Sequence, residues 1–559
     1  MFIRTTRNSA GQAYYHLVES FRDEGKVKQR TLLSLGRVED GKLEALAEAI
    51  SKHTDLISAA ELAKTVSTDS TYVLGPLLVL RGLFDSIGID DVLAQVQKDH
   101  KRVRFNLRSV VFQMIAARFV RPCSKLAIYE QLFGLLYPDS ATGEISLQHL
   151  YRALDLLKDS KDQIETGLFM HGRDLFTRQV DVVLYDLTTL RFESTWESEE
   201  LRRFGYSKEK RNDCTQVVLG LLVDADGIPL GFEVFPGNTV EGKTLTSIME
   251  KMRAKFCVRR FIFVADRGLI SKENLKIIKA DKGEFIVGMR IGNLGNKRPE
   301  LYDRSQFKKV TDDLELLETT FDDDRGVVTW SRERATRDRK AREDILKKIQ
   351  VKLNNKKATT KTFVSNSNYR FFLKGLEHGQ KPELDPNKVA QAEKKDGFFA
   401  LVTNVKDKNA RELFTQYKEL WRIEDTFGEL KGTLKARPIF HWTDHRIVGH
   451  LTMCFIALLC EAHITRALRD GRDTCEGQAA RDGIIKVRQL SAATVLRELA
   501  EVRAVPVTIG AQVFWLRTDI KGHVAKLFQR LGLRIPPKLL KRVAVVAQAN
   551  NDAAIPCNN

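Results

Sequence analysis

The chain has 559 residues and a formal net charge of +18, because 91 Lys and Arg face 73 Asp and Glu. That length leaves room for roughly three or four domains, and 43% hydrophobic with 29% charged residues describes an ordinary soluble protein. The basic excess favours a polyanionic partner, nucleic acid ahead of an anionic membrane. Cys123, Cys214, Cys257, Cys454, Cys460, Cys475 and Cys557 are odd in number, scattered and without a C-x-x-C pair, so they read as reduced thiols of a cytosolic chain and exclude a disulfide framework or a zinc site. The opening MFIRTTRNS lacks the apolar run of a signal peptide. The apolar run Leu451 to Cys460 is too short to cross a bilayer and reads as a buried helix.

Residues 1–40 alternate with period two in FIRTTR, AYYHLVESFR and VKQRTLLSLGRV, separated by turn residues, which predicts an antiparallel meander. Helical spacing follows over 41–155, as in LEALAEAISKH and SVVFQMIAARF. Between Phe105 and Leu132 two helices flank Arg121-Pro122-Cys123, with Ser124 as cap. The pattern fits a DNA-binding helix-turn-helix and fits two packed helices equally well.

VDVVLYDLTTLRF is a continuous apolar run through Asp186, the pattern of a strand buried on both faces. After the basic loop GYSKEKRND, the segment TQVVLGLLVDADGIPLGFEVF predicts a hairpin turning at Asp224-Ala225-Asp226-Gly227. Asn238 and Glu241 form a capping box for the helix TLTSIMEKMRAKF. RFIFVAD then makes a strand ending at Asp266, followed by a helix and the strand EFIVGM. The order is three strands, helix, strand, helix, strand, with the first three antiparallel and the later ones parallel, as in ribonuclease H-like cores.

Residues 291–396 interrupt this order with the strand VVTWS, a basic helix from Arg332 and a strand YRFFLK. Twelve Lys or Arg stand against four Asp or Glu from Arg332 to Lys361, as either a solvated helix face or a phosphate-tracking surface. GFFALVTNV returns to strand pattern and leads into YKELWRIEDTFGELK, Tyr417 to Lys431. As one helix, that stretch puts Trp421, Glu424, Gly428 and Lys431 on one face and Ile423, Phe427 and Leu430 on an apolar strip beside it. A long buried helix follows, and then a tail with nine basic residues and one acidic residue from Arg503 to Arg542.

Asp186 and Asp266 end apolar strands, where a rigid sheet delivers catalytic groups to solvent. With Glu424 they form an all-oxygen donor set suited to Mg²⁺ or Mn²⁺. Two such ions about 3.5–4 Å apart activate a nucleophile on one side of a phosphodiester and stabilise the leaving oxygen on the other. His441, His445 and His450 lack an i, i+4 pair within one regular helix and are not read as ligands.

These three carboxylates and their surroundings resemble the DDE transposases of bacterial insertion sequences, in the branch whose glutamate lies within Y-x2-R-x3-E-x6-K. Tyr417, Glu424 and Lys431 stand at the full spacing, Leu420 occupies the arginine's place, and Arg422 lies two positions on. YDLTTL resembles the first aspartate motif and FVADRGL the second, with Gly268 where some relatives carry a bulkier or acidic residue. Including GYSKEK, the hairpin and RPIFHW, the resemblance covers roughly residues 1–470.

The resemblance implies an α/β fold: a ribonuclease H-like core with a five-stranded mixed sheet, interrupted by a β-rich insertion. An N-terminal β-meander plus helical region and a helical C-terminal region complete it. The corresponding boundaries are 1–70 and 71–178 for DNA-binding regions, 179–290 and 397–470 for the two parts of the core, 291–396 for the insertion and 471–559 for a basic region used in dimerisation or DNA contact.

Its implied activity is binding of terminal inverted repeats, metal-dependent cleavage of the ends and joining of 3′ ends to target DNA by transesterification. Asp186, Asp266 and Glu424 would hold Mg²⁺ or Mn²⁺, as two ions, and Tyr417, Arg422, Lys431, Lys208 and Arg267 would contact DNA. The expected partners are double-stranded DNA and a second copy of the chain in a synaptic homodimer, with no membrane, in the bacterial cytoplasm at the nucleoid. Trp330 is the candidate for handling a flipped base, with a core role as the alternative. Two other readings stay open: a nuclease of the same fold without strand transfer, and an inactive DNA-binding repressor.

Overall fold

The computed structural model describes residues 2–23, 26–37, 66–67, 70–138, 144–171, 182–207, 211–240, 244–256, 260–266, 268, 271–280, 282–289, 291, 298–354, 363, 366–376, 382–470, 474–475, 488–489, 491–509 and 512–540. The helix expected at LEALAEAISKH, the capping residue Glu241, and the proposed DNA contacts Lys208 and Arg267 lie outside the described residues. The chain forms two compact units: residues 1–79, 130–143 and 494–559 make the smaller, and 80–129 with 144–493 the larger.

The smaller unit opens with the expected meander, β1 (Phe2–Arg7), β2 (Ala13–Asp23) and β3 (Lys26–Arg37), antiparallel throughout. Its C-terminal part is described with the last elements of the chain below.

The larger unit begins with helices that include α1 (Leu107–Val120), α2 (Leu147–Asp159) and α3 (Lys161–His171). Asn106 caps α1, and Ser124 accepts from the Ala127 amide as expected. The central sheet follows: β4 (Val182–Arg191), β5 (Gln216–Asp224), β6 (Pro229–Pro236), α4 (Leu245–Phe256), β7 (Ile262–Ala265), α5 (Lys272–Ala280) and β8 (Glu284–Met289). The intervening segment supplies β9 (Lys308–Thr311), β10 (Leu314–Phe321), β11 (Asp324–Ser331) and the long helix α6 (Arg332–Leu353). Then come β12 (Phe398–Thr403), α7 (Ala410–Lys418), α8 (Trp421–Lys431) and α9 (Asp444–Asp470).

Among the described residues the sheet has nine strands in the order β9-β10-β11-β12-β8-β7-β4-β5-β6. β7 runs parallel to both β4 and β8, and the other pairings are antiparallel. The expected five-stranded sheet is therefore extended by four strands. The segment 291–396 is not set apart as a β-rich insertion: β12 pairs β8 on one side and β11 on the other, from Arg325↔Thr403 to Trp330↔Phe398, so its strands continue the sheet, and its longest element is α6. YRFFLK, expected as a strand, lies mainly in the helix Ser367–Phe372, because Asn366 accepts from the amides of Asn368 and Tyr369 and caps it. Only Leu373–Lys374 is extended, so a local cap has overridden the β-propensity of an aromatic run.

The sheet is covered on both faces. Val183, Tyr185 and Leu187 of β4 pack with Phe263, Phe285, Ile248, Met249 and Ile278 in one core under α4 and α5. On the opposite face Leu219, Leu221 and Phe232 meet Leu430 of α8 and Leu451, Phe455 and Leu458 of α9. Full burial of each such side chain is worth roughly 1.5–3 kcal/mol. α9 passes against α2 so closely that a Cβ on Gly449 would stand 2.0 Å from the Leu154 carbonyl oxygen. A stretch of α9 has mean hydropathy 1.7 and the length to span a bilayer, yet 89% of it is buried inside the protein.

In the smaller unit, β13 (Arg503–Ile509) and β14 (Gln512–Arg517) form an antiparallel hairpin beside the helices Ala492–Ala500 and Gly522–Arg530. The C-terminal region is therefore mixed and not wholly helical. RAVPVTI and QVFWLR carry the β-branched and aromatic residues of strands, and Leu74, Ala504 and Trp515 pack together there with Tyr72 and Tyr137.

Candidate active site

β4 and β7 pair in parallel as Val182↔Ile262, Val183↔Phe263 and Leu184↔Val264. Carried two residues further, that offset aligns Asp186 with Asp266, the residue that follows the last of β7. The face of Asp186 follows from its other neighbour. Its cross-strand partner on β5 is Leu221, whose side chain meets α8 and α9, and directly paired residues point to the same side of a sheet. Asp186 thus lies on the side where α8 is packed. It is half-buried, whereas Asp266 is exposed.

Glu424 occupies the first turn of α8 and is exposed. The helix is anchored by Ile423, Phe427 and Leu430, which are 1%, 7% and 2% exposed, while Trp421, Glu424 and Gly428 face solvent, as the three- and four-residue spacing predicts. The stretch Tyr417 to Lys431 is not one helix, however. α7 ends at Lys418, where Glu419 and Leu420 donate to Gln416 and Tyr417 three residues back, and α8 restarts at Trp421. Such tightened bonds close a helix end.

Tyr417 therefore belongs to a different helix from Glu424. Its hydroxyl donates to Asp266 Oδ1 at 3.2 Å, and its ring lies 4.9 Å from that of Phe399. Gly288 of β8 makes room for it: an added Cβ there would stand 2.4 Å from the Tyr417 oxygen. Leu420 sits at the break and provides no side-chain cap. Arg422 is paired with Glu419 and reaches the Asp226 carbonyl at 3.4 Å, and Lys431 closes the last turn of α8.

Among the described residues no lysine or arginine pairs with Asp266 or Glu424. A carboxylate within a strand, one at a strand end and one in the first turn of a helix form a donor set that suits a hard divalent cation. β4 does not end at Asp186, as the apolar run suggested, but continues to Arg191. The triad's oxygens are not gathered within 4.8 Å of one another; among the described residues the carboxylates so gathered are Asp162, Glu165 and Glu233. That second set is already neutralised: Lys161 lies 3.0 Å from Glu165 and 3.1 Å from Glu233, and Lys255 lies 2.7 and 3.3 Å from the same two. Burial opposes the charge of Lys255, but Glu165, Asp162 and Glu233 outweigh it and hold its pKa above the ordinary value.

A third acidic group lies behind α8 and gave no signal in the sequence. Asp425, Glu429 and Glu461 line a cavity of about 230 Å³ with Arg422 and Arg469. Burial, reinforced by Glu429 and Asp425, pushes the Glu461 carboxyl up to about 8, and burial also raises Asp425 and Glu429. Of the three histidines set aside as ligands, His441 and His450 are buried in packed surroundings and His445 lies beside Asp159. The rings of His441 and His450 are 5.1 Å apart, and burial, with Lys125 and Arg118 nearby, lowers His441 to about 3 and His450 well below its usual value. Trp330 donates to the Asp396 carbonyl, with the Arg304 guanidinium 3.4 Å from its ring centre, so it is engaged within the fold.

Aligned aspartates on adjacent parallel strands of a mixed sheet, with a glutamate on a covering helix, form a carboxylate set of the kind that can hold divalent cations. Residues 178–460 match the Transposase DDE domain, and residues 3–61 match the IS1634 family transposase N-terminal domain. The chain belongs to the DDE transposase family and is an insertion-sequence transposase. No curated protein matches it.

Proposed function

We propose that the protein binds the terminal inverted repeats of its insertion sequence, cleaves the ends and joins the freed 3′ ends to target DNA. The observation that carries this reading is the β4–β7 register, which aligns Asp186 with Asp266 beneath the helix bearing Glu424. The strand order β6-β5-β4-β7-β8 supports a ribonuclease H-like core.

Asp186, Asp266 and Glu424 would hold two Mg²⁺ or Mn²⁺ ions, which when bound polarise the scissile phosphate and lower the pKa of an attacking water or 3′ hydroxyl. The chain's own part is placement. β4 and β7 fix the two aspartates, the apolar strip of α8 fixes the glutamate, and the Tyr417 hydroxyl orients Asp266. Tyr417, Arg422 and Lys431, with Lys208 and Arg267, would bind phosphates near the cut, and two copies of the chain would pair two ends.

The test is incubation of the purified protein with end-bearing DNA, Mg²⁺ and a target plasmid. Joined product is expected. Cleavage without joining would identify a nuclease of the same fold, and binding without either would identify a repressor.

A further inference from the structure

α1 carries a charge into the interior. Its residues from Ser109 to Phe119 are buried, and Arg118, in its last turn, is 5% exposed. Burying a guanidinium is unfavourable unless acceptors meet it. Among the described residues Arg118 has no carboxylate partner. One of its nitrogens, Nη1, donates instead to the carbonyls of Leu434 and Lys435, at 3.3 and 2.9 Å.

Those carbonyls belong to the exit of the helix that bears Glu424. α8 ends at Lys431, and the chain then turns inward, with Leu434 and Ala436 buried and the exposed Lys435 between them at φ 44°. A non-glycine residue in the left-handed region carries strain and persists where its surroundings hold it. A buried exit also leaves backbone groups that water cannot reach. The backbone meets some of them: the Leu434 amide donates to the Glu429 carbonyl and the Ala436 amide to the Leu430 carbonyl, each at 2.9 Å. The carbonyls of Leu434 and Lys435 are met by Arg118, and the His450 ring lies 3.4 Å from that of Ala436. The negative end of the helix dipole favours a cation at this place.

The other basic groups of the cluster are poor substitutes. Lys125 is 2% exposed, and burial, with the charge of Arg118 beside it, lowers its pKa to about 7. Burial likewise drives His441 and His450 toward their neutral forms. The exit of α8 is left to the guanidinium.

Glu424 stands on the same helix, two turns before Lys431, roughly 10 Å along the axis. Ile423, Phe427 and Leu430 hold α8 against its neighbours through burial, which is non-directional. The directional bonds lie at its ends, Arg422 to the Asp226 carbonyl at the start and Arg118 at the exit. We propose that Arg118 is a positioning residue for Glu424, fixing through the exit of α8 how that helix is set along the sheet toward Asp186 and Asp266. This rests on the reading of Glu424 as a metal-holding carboxylate and adds to it a residue from the helical region before the sheet.

The test uses the full chain and two readouts. In the first, hydrogen exchange of wild type and Arg118→Met is compared over residues 421–436 and over α4 and α5. Exchange is expected to quicken about tenfold in 421–436 and to stay unchanged in α4 and α5. In the second, cleavage of end-bearing DNA is followed against Mg²⁺ concentration, well below the thermal midpoint of either protein. The half-saturating Mg²⁺ is expected to rise about tenfold, with DNA binding in EDTA within about twofold of wild type. Arg118→Lys keeps a donor near the carbonyls and is expected to shift both readouts about threefold; it carries the comparison if Arg118→Met does not fold. Exchange that quickens equally in α4 and α5 overturns the proposal and makes Arg118 a support of the whole unit. An unchanged Mg²⁺ requirement in the folded variants also overturns it. Absence of cleavage by wild type strikes the proposed function instead, and the exchange comparison then decides whether Arg118 holds α8.

Discussion

Two sets of three carboxylates sit in the larger unit under opposite physical conditions. Glu165 and Glu233 are buried and clasped with Asp162 by Lys161 and Lys255, where α3, α4 and β6 meet. Asp266 and Glu424 are exposed, and among the described residues a tyrosine hydroxyl is their one side-chain hydrogen-bond partner. Convergence of oxygens alone would choose the first set as a metal site. The first set already holds its cations, which argues for the second as the proposed site. A carboxylate neutralised by buried lysine is part of the scaffold, whereas one left to solvent at a strand end or helix start can accept an ion.

The contrast can be broken from the scaffold side with the largest effect on stability. Glu165→Gln leaves Lys161 and Lys255 short of a buried partner and also disturbs the acceptor of the Phe232 amide. A loss of about 3–5 kcal/mol is expected by denaturant titration. A loss below about 1 kcal/mol would place that network among pairs of little energetic weight.

Glu461 probes the acidic cavity behind α8. Its folded pKa of about 8 lies above the ordinary 4.5, so the folded state binds the extra proton between those values. Stability is therefore fullest below about pH 4.5 and falls as the pH rises toward 8. Glu461→Gln should flatten that fall and raise the thermal midpoint at pH 8 relative to wild type. The same slope in both proteins would contradict the assignment.

The smallest effect is expected from the metal itself. At about 100 times its dissociation constant an ion adds roughly 2.7 kcal/mol, so Mg²⁺ should raise the thermal midpoint of wild type and not of Asp186→Asn. Equal shifts in the two proteins would move the ion elsewhere.

The candidate site was legible in the sequence through its strongest local signals. Asp186 and Asp266 end unbroken apolar runs that only buried strands tolerate, and Glu424 stands on a helix whose apolar strip is plain at Ile423, Phe427 and Leu430. The break at Glu419-Leu420 carried no such signal, since neither residue is a helix breaker. The joining of 291–396 to the central sheet depends on pairing residues as distant as Arg325 and Thr403, which no local pattern encodes. The Lys161–Glu165–Lys255–Glu233 network was hidden for the same reason, being assembled from segments far apart in the chain.

The central claim, that Glu424 is a metal-holding carboxylate and not a support of the fold, is tested most directly by one comparison on end-bearing DNA. Cleavage in Mg²⁺ and binding in EDTA are measured for wild type and Glu424→Gln. The account predicts cleavage reduced below detection and binding within about twofold, because phosphate contacts dominate affinity. Retained cleavage, or binding lost in parallel with cleavage, would contradict it.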